Sequence, residues 1–210
     1  MGLAHSPRIA TDGLVLALDA GNTKSLVNGD GDPSFSSVSL LLNGDGTNGS
    51  TDIVDTSSND NTITVNGTAQ ISTAQSKFGG SSLHFTQATI DTAQNYLSLG
   101  SPISIASSED FTIEFWAFKS SSGSYDGVLS NNSGGDNFIE LSTVRGFIVF
   151  LGGNGLGSTV TATAAFGSGG SYADSTWHHY AVTRENNTLR IFIDGDLKST
   201  AAGRSAAVTL

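Results

Sequence analysis

Phe111-Thr-Ile-Glu-Phe-Trp-Ala-Phe118 is the stretch from which the fold can be read. Successive side chains of a strand point to opposite faces, so Phe111, Ile113, Phe115 and Ala117 share one apolar face. Thr112, Glu114, Trp116 and Phe118 share the other. The first face reads as core. The second, a carboxylate among aromatics, suits the less deeply buried face of a sandwich sheet. Leu189, Ile191 and Ile193 repeat the pattern, with Arg190 and Phe192 opposite and Asp194-Gly195 turning the hairpin that follows.

Outward from that strand, the same kind of run recurs: three to eight apolar or alternating residues, bounded by Gly, Asn, Asp and Ser. The runs are 14–18, 38–42, 62–65, 82–85, 96–99, 111–118, 127–129, 138–141, 146–151, 159–165, 177–183, 189–193 and 197–200. Asn43-Gly44, Asn66-Gly67, Asp126-Gly127 and Asp194-Gly195 read as turn dipeptides. No window of eleven residues shows helical periodicity. The expectation is an all-β sandwich or barrel.

Composition narrows the classes. Of 210 residues, 26 are Gly, 31 Ser, 22 Thr and 14 Asn, and only 13% are charged. A net charge of −10 with nine scattered cations argues against nucleic acid as a partner. No apolar run has the length of a membrane span, so membrane insertion is not expected. The absence of cysteine removes disulfides, thiolate metal sites and cysteine nucleophiles together. Near the N-terminus, Leu14–Leu18 is too short for a signal-peptide core, and no export signal is expected.

One internal repetition bears on organisation. Gly13-Leu-Val-Leu-Ala-Leu-Asp-Ala-Gly-Asn22 parallels Val38-Ser-Leu-Leu-Leu-Asn-Gly-Asp-Gly46, each an apolar strand running into an Asx/Gly turn. Between them, Thr23 to Ser37 reads as a linker. The expected division is an N-terminal arm and linker, 1–37, and a β-sandwich, 38–210. The arm's apolar residues, Leu14, Val15, Leu16 and Leu18, could complete a sheet edge, more readily in a neighbouring subunit or particle protein, across a linker reaching about 50 Å.

Three segments carry a resemblance to a known family. They are Lys77-Phe-Gly-Gly-Ser-Ser-Leu-His-Phe85 with Tyr96-Leu-Ser-Leu99, then Asp110-Phe-Thr-Ile-Glu-Phe-Trp116, then Trp177-His-His-Tyr-Ala-Val-Thr-Arg184 with Leu189-Arg-Ile-Phe-Ile-Asp-Gly195. Over residues 38–200 the chain resembles the laminin-G-like members of the concanavalin A-like lectin/glucanase superfamily. The resemblance implies a two-sheet antiparallel jelly-roll sandwich with a concave face used for glycan or protein binding. The opening, Ser6 to Asn22, is similar to the start of virion structural proteins of marine tailed phages. Two departures stand out: the arm is extra, and the chain stops at Leu210 without the family's closing strands. That end is expected to leave the 38–42 strand with an unpaired edge.

The chemistry of the residues points to binding rather than catalysis. A retaining glycosidase needs two carboxylates about 5–5.5 Å apart. The four glutamates, Glu109, Glu114, Glu140 and Glu185, form no such cluster, and Glu114 has no acidic neighbour at 112 or 116. His178-His179 cannot share one ion, because adjacent strand residues face opposite ways. One of the two is expected inward beside Trp177. Asp30, Asp32, Asp45 and Asp52 lie on Asx/Gly loops whose oxygens calcium would accept, although turns alone explain them. No cofactor is required on this reading, and calcium is optional. A glycan site would draw on Glu114, Trp116, Arg145 and Tyr180, with Asp126, Asn131, Asp136 and Asn137 on loops; sandwich packing is the competing role for Trp116.

The combined expectation is a non-enzymatic structural, decoration or adhesion protein on the exterior of a tailed-phage particle. Its partners would be other virion proteins or copies of itself, with a cell-surface glycan as a further ligand. The alternative is a stand-alone carbohydrate-binding module.

Overall fold

A computed structural model of the chain describes residues 14–18, 35–86, 95–119, 126–131, 138–142, 146–150, 159–161 and 175–210. The strands are β1 (Leu14–Leu18), β2 (Ile63–Asn66), β3 (Gln70–Ser72), β4 (Ser82–His84), β5 (Tyr96–Leu99), β6 (Ser104–Ile105), β7 (Phe111–Phe118) and β8 (Asp126–Ser130). They continue with β9 (Phe138–Ser142), β10 (Gly146–Phe150), β11 (Thr159–Thr161), β12 (Trp177–Glu185), β13 (Thr188–Ile193), β14 (Asp196–Ala201) and β15 (Val208–Thr209). Among the described residues the sole helical element is a single 3-10 turn, Phe35–Ser37. The fold is all-β, as the alternation requires.

One sheet runs β1-β7-β12-β13-β14 and a second runs β11-β10-β9-β8, with two-stranded ribbons β15-β6, β2-β5 and β3-β4. The pairings from β2 to β15 are antiparallel. The described residues pack as two compact units, Leu16–Ser101 and Pro102–Leu210, the latter with the first residues of β1. This division falls inside the stretch expected to form one sandwich, and a second break falls within β1.

In the Pro102–Leu210 unit, the long strands behave as their alternation predicts. Phe111, Ile113 and Phe115 of β7 are buried together with Tyr180 and Val182 of β12 and Leu189, Ile191 and Ile193 of β13. Hairpins set the registers. Asn186 and Asn187 both take positive φ, as do Asp194 and Gly195, so two Asx-based turns link β12 to β13 and β13 to β14. The Asn186-Asn187 signal was not singled out in the sequence. Asp126-Gly127, read there as a turn, instead lies inside β8, where the pairing with β9 shifts register between Gly127 and Leu129. Glycine in a strand marks such an irregularity as readily as a turn.

Arg184 is the largest buried side chain of this unit, 2% exposed. Its guanidinium donates Nε–H to the Glu109 carbonyl at 2.6 Å and Nη2–H to the Ala106 carbonyl at 2.8 Å. Nη1 donates to the carbonyls of Arg204 and Ala206. The planar group also lies over the Phe111 ring, 4.9 Å from its centroid. One cation thereby ties the approach to β7 to the segment leading into β15, using the fixed fork geometry that arginine alone offers. Burial draws its pKa down, while the charges of Asp110 and Glu109 oppose that shift.

In the Leu16–Ser101 unit, the expected strand at 38–42 does not form. Only Leu41 makes an isolated bridge, yet Val38, Leu40, Leu41 and Leu42 are all buried. A continuous apolar run fits a core loop as well as a strand. Asp55 holds this run in place. Its Oδ1 accepts the backbone N–H groups of Leu41 and Ser57, each at 2.9 Å. Oδ2 accepts Ser57 Oγ–H at 2.8 Å, Asn61 N–H at 2.9 Å and Asn61 Nδ2–H at 2.7 Å. Burial by itself would raise this carboxyl's pKa; the bonds from Leu41, Ser57 and Asn61 outweigh burial and leave it lowered. Nearby, Gly79 (φ +60) sits directly under the Asp45 carboxylate, where any side chain would collide with Oδ1.

Candidate functional site

The register of β7 and β12 builds the site. Trp116 pairs with His179, Phe118 with Trp177, and Glu114 with Ala181, which places Glu114, Trp116, Phe118, Trp177 and His179 on one face of the sheet. Ala181 pairs in turn with Phe192 of β13, and Phe192 with Leu197 of β14, extending the apolar character across three strands. The opposite face is the buried Phe111–Phe115 row.

The rings form a ladder. Phe118 and Trp177 are 5.6 Å apart at 50°, and Trp116 and His179 are 5.1 Å apart at 44°. His179 Nε2 stands 3.5 Å from Glu114 Oε2, and their side chains keep 19% and 17% of their surface exposed. Leu197, 55% exposed, closes the row at the sheet's edge. Beyond the rings, Ala181 opposite Glu114 and Thr183 opposite Thr112 are buried. The arrangement offers flat apolar rings for stacking beside a hydrogen-bonding carboxylate and imidazole. The residues that the register sets around Glu114 are Thr112, Trp116, Ala181 and His179, none of which supplies a second carboxylate for glycoside hydrolysis.

Tyr180 does not join this site. It pairs with Phe115, stacks on it at 5.3 Å and 15°, and is 1% exposed, so it belongs to the core. The reason is strand parity, which puts 180 on the face opposite 179. His178 shares that inward face, where Nδ1 lies 2.7 Å from Asp194 Oδ2 and Nε2 2.8 Å from Thr176 Oγ1. The two histidines thus face opposite ways. His179, read in the sequence as one of an inward and an outward histidine and not as a glycan-site candidate, is the one that meets Glu114; the register that brings them together is a long-range fact.

The remaining candidates scatter. Asp126 begins β8 and Asn131 follows it, whereas Arg145, Asp136 and Asn137 lie outside the described residues. Asp30 and Asp32 also lie outside them. Asp45 and Asp52 are on exposed loop positions, with the Asp52 N–H donating to Ser50 Oγ. Among the described residues no three His, Asp or Glu side chains stand together as a metal site. Leu14, Val15, Leu16 and Leu18 form β1 at one edge of the five-stranded sheet, next to β7. No helix among the described residues is long and apolar enough to cross a membrane.

No curated protein matches the chain. Among solved structures it is similar to domain 4 of AbnA, a GH43 extracellular arabinanase from Geobacillus stearothermophilus, solved in complex with arabinotriose. That likeness has 16% identity and a TM-score of 0.46, and it covers 74% of this chain and 76% of the other. The Laminin_G_3 family model, described as Concanavalin A-like lectin/glucanases superfamily, matches residues 91–209 and takes in the whole β7–β12–β13 ladder. With more than half its length in that match, the chain belongs to the laminin G-type family of the concanavalin A-like lectin/glucanases superfamily.

Proposed function

We propose that this chain is a non-catalytic glycan-binding protein whose contact surface is the Trp116–His179–Glu114 face. The observation that carries the reading is the ring ladder of Phe118, Trp177, Trp116 and His179 ending on a partly exposed carboxylate. Aromatic faces stack on the C–H faces of sugars, and a carboxylate with an imidazole orients the hydroxyls. Membership of a lectin-containing superfamily supports the same class of ligand. Hydrolysis is not part of the reading, because the register gives Glu114 no carboxylate partner.

Both tryptophans of the chain lie on this face. Their intrinsic fluorescence therefore reports directly on ligand contact. Titration with soluble dextran, galactan and xylan is expected to quench or shift that emission with at least one of the three. Trp116→Ala should weaken that binding by about tenfold, the worth of one good stacking contact, with the fold retained by far-ultraviolet spectroscopy. Unchanged affinity in Trp116→Ala, or release of reducing sugar from any of the three, would overturn the reading.

The finer setting we propose is the exterior of a tailed-phage particle, with β1 as the attachment strand. It is supported by the likeness of Ser6–Asn22 to virion proteins and by β1's place at a sheet edge beside β7. An edge strand can be supplied by another copy or another protein through the same backbone bonds. Removing residues 1–37 should then abolish oligomer or particle association while leaving a soluble, folded protein. Association unchanged by that deletion ends the proposal.

A further inference from the structure

We infer that the Leu16–Ser101 unit carries a second saccharide-contact site, on one face of the β2–β5 ribbon. It draws on the proposed function only for its class of ligand. The ribbon pairs Asn66 with Tyr96 and Thr64 with Ser98, so these four side chains share a face, while Ile63, Val65, Leu97 and Leu99 share the other. Tyr96 is 47% exposed and Thr64 is exposed, so the polar face is open to solvent.

The hydrogen bonds leave this face with unspent capacity in a fixed geometry. Asn66 Nδ2 donates to Ser98 Oγ at 3.2 Å and to the Thr64 carbonyl at 3.3 Å, which orients the amide. Its Oδ1, the Tyr96 hydroxyl and Thr64 Oγ1 have no partner among the described residues. At the end of the ribbon, Asn95 is locked. Its Oδ1 accepts from Thr68 N–H at 2.6 Å and Thr68 Oγ–H at 3.1 Å. Its Nδ2 donates to the Thr86 carbonyl at 2.7 Å and to Thr86 Oγ1 at 2.8 Å. That clamp joins the residue before Tyr96 to the residue after Phe85, a second aromatic with 47% of its surface exposed.

The exposed Tyr96 ring, beside an oriented amide oxygen and free hydroxyls on one face of the ribbon, matches the apolar face and hydroxyl edge of a sugar. Phe85, Tyr96, Asn66, Ser98, Thr64 and Asn95 carry no formal charge, so the geometry selects a neutral saccharide over an acidic one. A purely apolar partner would leave the amide and hydroxyls unmatched.

The test is amide chemical-shift mapping of the full chain with dextran, galactan and xylan. The expected result is perturbation at residues 64, 66, 96 and 98 by at least one of them. Tyr96→Ala should weaken that perturbation by about tenfold, and Tyr96→Phe should retain most of it. Trp116→Ala separates the two readings. If the 64–98 shifts survive in that variant while the tryptophan response is lost, both sites stand. If they survive and tryptophan fluorescence never responds, only the second site stands. The inference is overturned if no probe at saturation moves these amides, if Trp116→Ala abolishes their shifts, or if only added protein moves them.

Discussion

Each unit of the chain contains a buried ion, and the two are solvated in opposite ways. In the Leu16–Ser101 unit, the Asp55 carboxylate is 3% exposed and is satisfied by three backbone N–H groups, one hydroxyl and one amide. In the Pro102–Leu210 unit, the Arg184 guanidinium is 2% exposed and is satisfied by four backbone carbonyls. Neither hydrogen-bonds to a counter-ion among the described residues, although Asp110 and Glu109 act on Arg184 at longer range. Backbone in irregular segments has polar groups that no sheet ladder takes up, and a buried charge of the right sign collects them. The Asp55 unit uses one donor from a buried apolar run that forms no strand and the others from Ser57 and Asn61, just beyond Asp55. The Arg184 unit uses acceptors from the segments that flank a long ladder. The difference shows what each region lacks locally.

The strongest way to break this comparison is Arg184→Met, which keeps volume but orphans four carbonyls and the Phe111 contact. The expected loss is about 4 kcal/mol in urea unfolding, as for removing one partner of a buried charge cluster. Hydrogen exchange near Val208 and Thr209 should accelerate first. A neutral Arg184→Met would mean that the carbonyls find water, and the cation would lose its organising role.

Asp55→Ala should cost somewhat less, about 3 kcal/mol, because its orphaned donors lie nearer solvent-exposed loop residues. A loss as large as that of Arg184→Met would make the two ions equivalent. The same carboxyl sharpens the contrast with pH. Its folded-state pKa is depressed, so its contribution is fully present above the unfolded value of about 4 and is lost as pH falls through the lower folded value. Urea midpoints measured from pH 6 down to pH 2 should therefore fall less steeply in Asp55→Asn than in wild type. Arg184 adds no slope in that range.

The smallest effect belongs to a carboxylate that is not buried. Asp194, 46% exposed, accepts from the His179 backbone N–H at 2.9 Å and contacts His178. Asp194→Gly, which accepts the positive φ of this turn, should cost about 1 kcal/mol, one net hydrogen bond with its ionic part screened. A thermal melt checks it. A loss matching that of Asp55 would show that burial is not what separates these carboxylates.

Much of the ladder was legible beforehand. β7, β12 and β13 lie within a residue or two of their alternating runs, because period-two patterning is local and survives whatever packs on it. That Glu114 and Trp116 share a face was legible for the same reason. β3, β6 and β15 were not, since two or three residues carry too little periodicity to register. Tyr180 lies with the core and not with the glycan candidates, since parity separates 180 from 179 but does not say which face of β12 packs inward. Arg184 and Asp55 drew no attention because nothing in a local window marks a charge for burial. Ser57 and Asn61 lie close to Asp55 in the chain, but Leu41, the buried backbone it holds, is 14 residues away, and Glu109 and Ala106 are 75 and 78 residues from Arg184.

By itself the sequence determined the all-β class, the strand periodicity, the turn positions at Asn66-Gly67 and Asp194-Gly195, and the exclusion of cysteine chemistry. These follow from backbone sterics and side-chain alternation, which act over a few residues. Only the tertiary structure decided which histidine meets Glu114, which tyrosine is core, and which charges are buried. Those depend on strand register and on where unpaired backbone groups collect. Both are set by contacts between residues far apart in the chain, where desolvation makes each unmatched polar group too costly to leave.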